Sequence, residues 1–176
     1  PAVRVVLQLV SFTAMRIAEV CALRIEDIKM VNVGGKMVPV LDFVGKGAKR
    51  RQIPLIPDAR RLLAHWVESS GIEATSGPLF SSTRGTAITP AVVREAWNGV
   101  RAGTPWEAVT PHVLRHTAAT AMLRNKVDLV TLQGILGHRS IKTTANYLHV
   151  EVGMKLEALE ALGVEAEPAT PPRSTS

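Results

Sequence analysis

The chain has 176 residues, of which 46% are hydrophobic and 20% charged, enough polypeptide for one domain with a sizeable core and too ordinary a composition for a disordered or fibrous class. No run approaches the roughly 18 uninterrupted apolar residues of a membrane-spanning helix, and residues 1–12 hold Arg4 and Gln8 without a cleavage pattern, so a cytoplasmic protein is expected. The net charge of +6 is unevenly spread: residues 1–150 carry 19 Lys and Arg against 10 Asp and Glu, while residues 151–167 carry five Glu against one Lys, so the basic body suggests a polyanionic partner.

Residues 1–12, PAVRVVLQLVSF, are apolar enough for a mostly buried helix. Thr13 to Arg16 then turns into a second helix whose Ile17, Val20, Cys21 and Leu23 can face a core. Cys21 is the single cysteine, which excludes an internal disulfide, and it is expected to be a small buried hydrophobe. Arg16 stands at that helix start, where it can reach a phosphate or pair with Glu19 on the surface. From Ile28 to Leu55 the pattern changes to β-branched runs, IKMVNV, KMVPVLDFV and RRQIPL, separated by turns at Gly34-Gly35 and Gly45 to Ala48. They predict a small antiparallel sheet. Lys46 lies in the second turn, where its ammonium could swing toward a leaving oxygen, with Lys49 a rival three positions on; Lys49, Arg50 and Arg51 suit contacts to backbone phosphates.

Residues 58–69 predict an amphipathic helix capped by Asp58, and Leu79-Phe80 a short buried return. TPAVVREAWNGVRAG predicts a helix capped by Thr89 with Pro90 at its first position. Arg84, Arg94 and Arg101 are candidate contacts to that polyanion, whereas His65 and the three tryptophans are expected to pack. The next helix has Thr110 as cap, Pro111 as first residue and Val113, Leu114, Ala118, Ala121 and Met122 as its apolar set. His112 and Arg115, three apart, project from one face near its N-terminus, a favourable place for an anion. His116 is expected to pack. DLVTLQGILG is read as a compact helix with Asp128 as cap and Gly137 as terminator, which sets His138 just beyond a helix end.

Tyr147 is the only tyrosine. Its hydroxyl titrates at about pH 10, so as a nucleophile it needs a base or neighbouring cations. Residues 151–163 predict a last amphipathic helix, and residues 164–176 a disordered tail. Other chemistries lack their residues. Gly34-Gly35-Lys36-Met37 has neither the leading glycine nor the Ser/Thr of a P-loop, Glu26-Asp27 is an isolated pair unsuited to two-metal catalysis, and His112, His116 and His138 lack the acidic or cysteine partner of a zinc site. No cofactor and no metal are expected.

The motifs HVLRH, LGH and TTANYLHV resemble the C-terminal signature of the tyrosine recombinases, the phage-integrase family: H-x-x-R-H, then L-G-H, then T-T-x-x-Y. TAMRIAEVCALRIEDI resembles that family's first arginine motif, T-G-x-R-x-S-E-x-x-x-L, and VGKGAKRRQIPL its β-hairpin lysine motif. These blocks, in family order, cover most of residues 11–150. Ala14 departs from the pattern by standing where the family usually has glycine, so that turn is not expected to need a positive φ. The resemblance implies an α+β fold, mainly α-helical with a small three-stranded antiparallel sheet. It implies a catalytic domain over residues 1–163, without the N-terminal DNA-binding domain that precedes this region in the family.

The same resemblance implies a catalytic set of Arg16, Lys46, His112, Arg115, His138 and Tyr147, with Glu19 orienting Arg16. Tyr147 would attack a phosphodiester, Arg16 and Arg115 would hold its non-bridging oxygens, and Lys46 would protonate the departing 5′ oxygen. The two histidines divide proton transfer and hydrogen bonding in an order the sequence leaves open. The expected function is site-specific DNA recombination through a covalent 3′-phosphotyrosyl link, without metal or ATP. The alternatives are a type IB topoisomerase-like or telomere-resolving enzyme, or a catalytically silent DNA-binding regulator. Expected partners are double-stranded DNA and further copies of the chain in a tetramer, with residues 151–163 docking on their own subunit or in trans.

Overall fold

A computed structural model of the chain describes residues 1–45, 50–72, 75–82 and 86–137. It is built around one apolar helix, α1 (Ala2–Thr13), which buries Val5, Val6, Leu7, Leu9, Val10 and Thr13. Other helices pack on several of its sides, because a helix apolar around most of its circumference has to be covered. The α1 helix stops at Ala14, which adopts φ 53° in the left-handed region while its N–H still bonds to the Val10 carbonyl. The turn therefore keeps a positive φ with an alanine, contrary to the expectation from the missing glycine. That conformation costs an L-residue about 1–2 kcal/mol. It is opposed by complete burial of Ala14 against Ala119, Leu123, Leu132 and Leu136.

Helix α2 (Ile17–Cys21) follows with Arg16 as its N-cap residue, and the Glu19 carboxylate accepts the Arg16 N–H at 2.9 Å. A single 3-10 turn at Ile25–Asp27 leads into the sheet, β1 (Ile28–Val33), β2 (Lys36–Val44) and β3 (Arg50–Pro54), antiparallel in that spatial order. The β1–β2 register pairs Val33 with Lys36, leaving Gly34 and Gly35 as a two-residue turn at φ 56° and 84°. Both positions need positive φ, which glycine adopts without strain. Leu41, Phe43 and Ile53 bury one sheet face in the main core. On the other face Asp42, 4% exposed, accepts from Arg50 Nε and Nη2 at 2.6 Å each, from Lys29 Nζ at 3.3 Å and from Gln52 at 3.4 Å. Cations from both outer strands thus fix the register of the middle one.

Helix α3 (Pro57–Ser69) starts one residue earlier than expected. Ile56 is the N-cap residue and Asp58 lies inside the first turn, ion-paired to Arg61. The residue before a proline is held extended and Pro57 suits the first helical position, so the proline sets the boundary rather than the aspartate. Its buried stripe is Ala59, Leu63 and Trp66. His65 lies beside that stripe and is exposed, and Trp106 is 65% exposed in the turn after the next helix, so neither packs as expected. Trp66 and Trp97 do pack, with Nε1 donating to the carbonyls of Leu79 (2.9 Å) and Val109 (2.6 Å). The return at Leu79-Phe80 is buried, and Leu79 N–H bonds to the Leu23 carbonyl at 2.9 Å.

Three further helices have the caps the sequence predicts: α4 (Pro90–Arg101) by Thr89, α5 (Pro111–Arg124) by Thr110 and α6 (Leu129–Leu136) by Asp128. Asp128 accepts from the N–H groups of Val130 (3.0 Å) and Thr131 (2.9 Å), and Gly137 closes α6 at φ 63°. The buried face of α5 is Arg115, Ala119 and Leu123, rotated from the expected apolar set; Val113, His116 and Ala121 are exposed. Ala119 and Leu123 meet Leu132 and Leu136 in a second, smaller core. Among the described residues no helix is long and apolar enough to cross a membrane.

Candidate active site

Between the start of α2, one face of α4 and the first turn of α5 lies a cleft of about 650 Å³. Arg16, Arg94, Arg101, Arg115 and His112 line it, together with Asn98 and Thr110, and no carboxylate among the described residues does. A concave surface with four guanidiniums favours an anion, and planar forks match phosphate oxygens two at a time. The spacing of Arg94, Asn98 and Arg101 puts them on one face of α4. Asn98 Oδ1 accepts from Arg101 Nε (3.0 Å) and Nη2 (2.8 Å), which holds that guanidinium in place.

Arg115 is 7% exposed, and a buried charge has to be paired or hydrogen-bonded. Its Nη1 donates to the Ala14 carbonyl and its Nη2 to the Leu136 carbonyl at 2.8 Å. Arg16 Nη1 reaches the same Leu136 oxygen at 3.3 Å. The last carbonyls of a helix lack intrahelical partners and sit at the negative end of its dipole. The C-terminus of α6 therefore gathers two guanidiniums, from residues about a hundred positions apart in the chain, beside one cleft. The left-handed turn at Ala14 aims its carbonyl at Arg115, which gives the strained residue a task in the site.

Glu19 is the counter-ion. Its Oε1 takes Arg16 Nη1 at 3.0 Å and lies 2.7 Å from Arg51 Nη2, while Oε2 takes the Arg16 N–H. Burial pushes the Glu19 carboxyl up, but the Arg16 N–H and the Arg51 charge outweigh it and hold the carboxyl below the ordinary glutamate range. Nearby, Cys21 is buried and its thiol is pushed up to about 11 by burial, against a smaller opposing effect of the Arg94 charge.

Of the residues singled out in the sequence, Arg16, His112 and Arg115 come together around the cleft, and Glu19 contacts Arg16 as expected. His112 is exposed at the start of α5. Lys46, Lys49, His138 and Tyr147 lie outside the described residues, as do Arg84 and residues 151–176. What is fixed is their attachment: β2 ends at Val44 and β3 begins at Arg50 on either side of Lys46 and Lys49, and His138 follows Gly137. Among the described residues no group of three or more His, Cys, Asp or Glu is placed to hold a metal ion.

Arg50 and Arg51 do not both behave as surface phosphate contacts. Arg50 is 66% exposed and tied to Asp42. Arg51 is 11% exposed and turned inward, with its guanidinium 5.0 Å from the Phe43 ring centre and Nη1 donating to the Ile135 carbonyl at 3.4 Å. Successive strand residues point to opposite faces, so two adjacent arginines necessarily have different fates. The sequence reading also missed Asn98 and the carbonyls at the end of α6. A spacing of four from Arg94 was a signal for the first; backbone acceptors leave no trace in side-chain identity.

The sequence matches the phage integrase family over residues 2–153. It is 34% identical over 169 residues to the tyrosine recombinase XerC of Pelobacter propionicus, covering 96% of this chain and 54% of that protein. With the tyrosine recombinase XerC of Corynebacterium glutamicum it shares 39% identity over 155 residues, 87% of this chain and 48% of the relative. The chain spans about half the length of these relatives. Among solved structures it is similar to the XerH site-specific recombinase bound to its difH substrate in a pre-cleavage complex, with a TM-score of 0.66 and 29% identity over 94% of this chain and 47% of that one. It is also similar to the XerA recombinase, with a TM-score of 0.64 and 26% identity over 89% of this chain and 62% of that one.

Proposed function

The chain belongs to the phage integrase family, the tyrosine recombinases, and from that membership we propose that it is the strand-cutting and strand-joining part of a site-specific DNA recombinase. The observation that carries the reading is the convergence of Arg16 and Arg115 on the Leu136 carbonyl beside a cleft lined, among the described residues, by basic and neutral groups. The XerC relatives and the DNA-bound XerH neighbour favour it over a topoisomerase-like, telomere-resolving or non-catalytic role.

In this reading the scissile phosphate of double-stranded DNA enters the cleft with its non-bridging oxygens against the guanidiniums of Arg16 and Arg115. Attack by the Tyr147 oxygen forms the new P–O bond and breaks the bond to the 5′ oxygen. The phenolic proton passes to a base, for which His112 is at the cleft edge, and the departing 5′ oxygen takes a proton from Lys46; His138 donates a further hydrogen bond. As negative charge builds on the phosphorus oxygens, the prearranged forks stabilise it more than they stabilise the ground state. The link keeps the energy of the phosphodiester, so a 5′ hydroxyl from another strand reverses the step and joins DNA without ATP.

Lys49 and Arg50 serve as backbone contacts beside the cleft, and Arg94 and Arg101 extend the basic surface along α4. Residues 1–163 form the catalytic domain and 164–176 a tail. The protein works in the cytoplasm as a tetramer on paired sites, with residues 151–163 docking in trans. A nicked suicide duplex, which loses the 5′ hydroxyl fragment after cleavage, tests the reaction: the full-length protein accumulates a covalent protein–DNA adduct, and Tyr147→Phe binds the duplex but forms none. A Tyr147→Phe protein that still forms the adduct rules the assignment out.

A further inference from the structure

Arg51 was expected to touch DNA, yet it is nine-tenths withdrawn from solvent; its Nε has no hydrogen-bond partner among the described residues, and its Nη2 meets Glu19 as an ion pair without hydrogen-bond alignment. A buried guanidinium with an unpaired donor is costly and needs a compensating function. Its contacts lie on three elements: the Glu19 carboxylate on α2, the Ile135 carbonyl at the end of α6 and the Phe43 ring on β2. A methyl group built on Gly137 would overlap Arg51 Nη1, so the guanidinium occupies space that only a glycine leaves open.

The charge count gives this placement a consequence. Glu19 Oε1 is shared between Arg16 and Arg51. Were Arg16 its only partner, the carboxylate would cancel the charge Arg16 offers to a phosphate. With the more deeply buried Arg51 on the same oxygen, the carboxylate can hold the Arg16 fork in position while its charge is met from inside the protein. We propose that Arg51 is a positioning residue for the cleavage reaction: it neutralises Glu19 from the buried side, so that Arg16 stays oriented by the carboxylate and still presents a net positive charge to the scissile phosphate. The inference rests on the recombinase reading and adds to it a residue that never meets DNA.

Full-length wild-type protein, Arg51→Met, Arg51→Lys and the double variant Glu19→Gln/Arg51→Met are compared on the suicide duplex. Removing Arg51 leaves Glu19 to quench Arg16, so Arg51→Met slows single-turnover cleavage by at least about tenfold, less than the loss on deleting a donor that touches the phosphate. DNA affinity and its salt dependence stay within about twofold of wild type, because no phosphate contact is lost. Arg51→Lys keeps the charge and most of the rate. Glu19→Gln in the Arg51→Met background removes the uncompensated carboxylate and recovers most of the loss, which a packing defect would not. No recovery in the double variant, or an Arg51→Lys as slow as Arg51→Met, overturns the proposal. So does a fall in DNA affinity with a shallower salt slope, which would return Arg51 to the phosphate contacts. Titration of the Glu19 carboxyl carbon by NMR needs no DNA: its midpoint rises in Arg51→Met, and an unchanged midpoint also overturns the proposal. A wild-type protein that forms no adduct would instead count against the recombinase reading, with the Glu19 titration still deciding the role of Arg51.

Discussion

Two buried carboxylates, Asp42 and Glu19, each hold two cations, and they differ in what those cations can still do. Asp42 sits on the middle strand, and its partners Lys29 and Arg50, on the two neighbouring strands, are 45% and 66% exposed. Glu19 sits on α2, and its partners Arg16 and Arg51 are 33% and 11% exposed, one facing the cleft and the other the interior. The first arrangement fixes strand register. The second fixes where a guanidinium points beside the cleft. A carboxylate beside an arginine is therefore structural or functional according to which side of the pair faces a cavity, a distinction invisible in the residue types.

The contrast is broken most severely through Arg115. Arg115→Lys keeps the charge but cannot bridge Ala14, Leu136 and a phosphate with one planar fork, so single-turnover cleavage falls by about 10²–10³. A lysine variant within threefold of wild type would show that the fork geometry is irrelevant. Next comes stability. Glu19→Gln leaves Arg51 buried without its counter-ion and costs about 2–3 kcal/mol, whereas Asp42→Asn frees cations that rehydrate and costs about 1 kcal/mol. Urea unfolding of the two variants checks the order, and the reverse order would mean that solvent access does not separate the two sites. Gly137→Ala costs about 1–2 kcal/mol from its positive φ alone and also pushes Arg51 away from Glu19, so its cleavage defect follows that of Arg51→Met.

The smallest effect is on pH. Hydrogen bonds from Arg50 hold the Asp42 carboxyl well below the usual aspartate range, and Glu19 is lowered as well. Groups depressed in the folded state contribute stability above their unfolded values, about pH 4, and that contribution is lost as pH falls through the folded values. Melting temperature should therefore drop below about pH 4, and less steeply in Asp42→Asn than in wild type. Parallel curves would remove Asp42 from the acid response.

Much of this was legible in the chain itself. The three strands, their glycine turn and the caps at Thr89, Thr110, Asp128 and Gly137 all stand where the sequence puts them, because each depends on neighbouring residues. What failed depended on burial. Asp58 lost the cap to Ile56 because Pro57 sets the helix start; His65 and Trp106 are apolar or aromatic enough to pack but face solvent. In the site, the motifs brought Arg16, Glu19, His112 and Arg115 to notice. They could not reveal that Leu136 and Ala14 supply the acceptors, since a carbonyl is common to every residue, or that Arg51 turns inward beside an exposed Arg50.

The most direct test of a phosphate gripped by two guanidiniums is cleavage of a suicide duplex whose scissile phosphate is replaced by methylphosphonate, which lacks one charged oxygen. If Arg16 and Arg115 act by neutralising that charge, Arg115→Ala should lose far less activity on the neutral linkage than on the natural one, shrinking a defect of about 10³ by at least tenfold. An equal loss on both linkages would mean that these arginines do not act on the charge of the scissile phosphate, and the site would have to be reassigned.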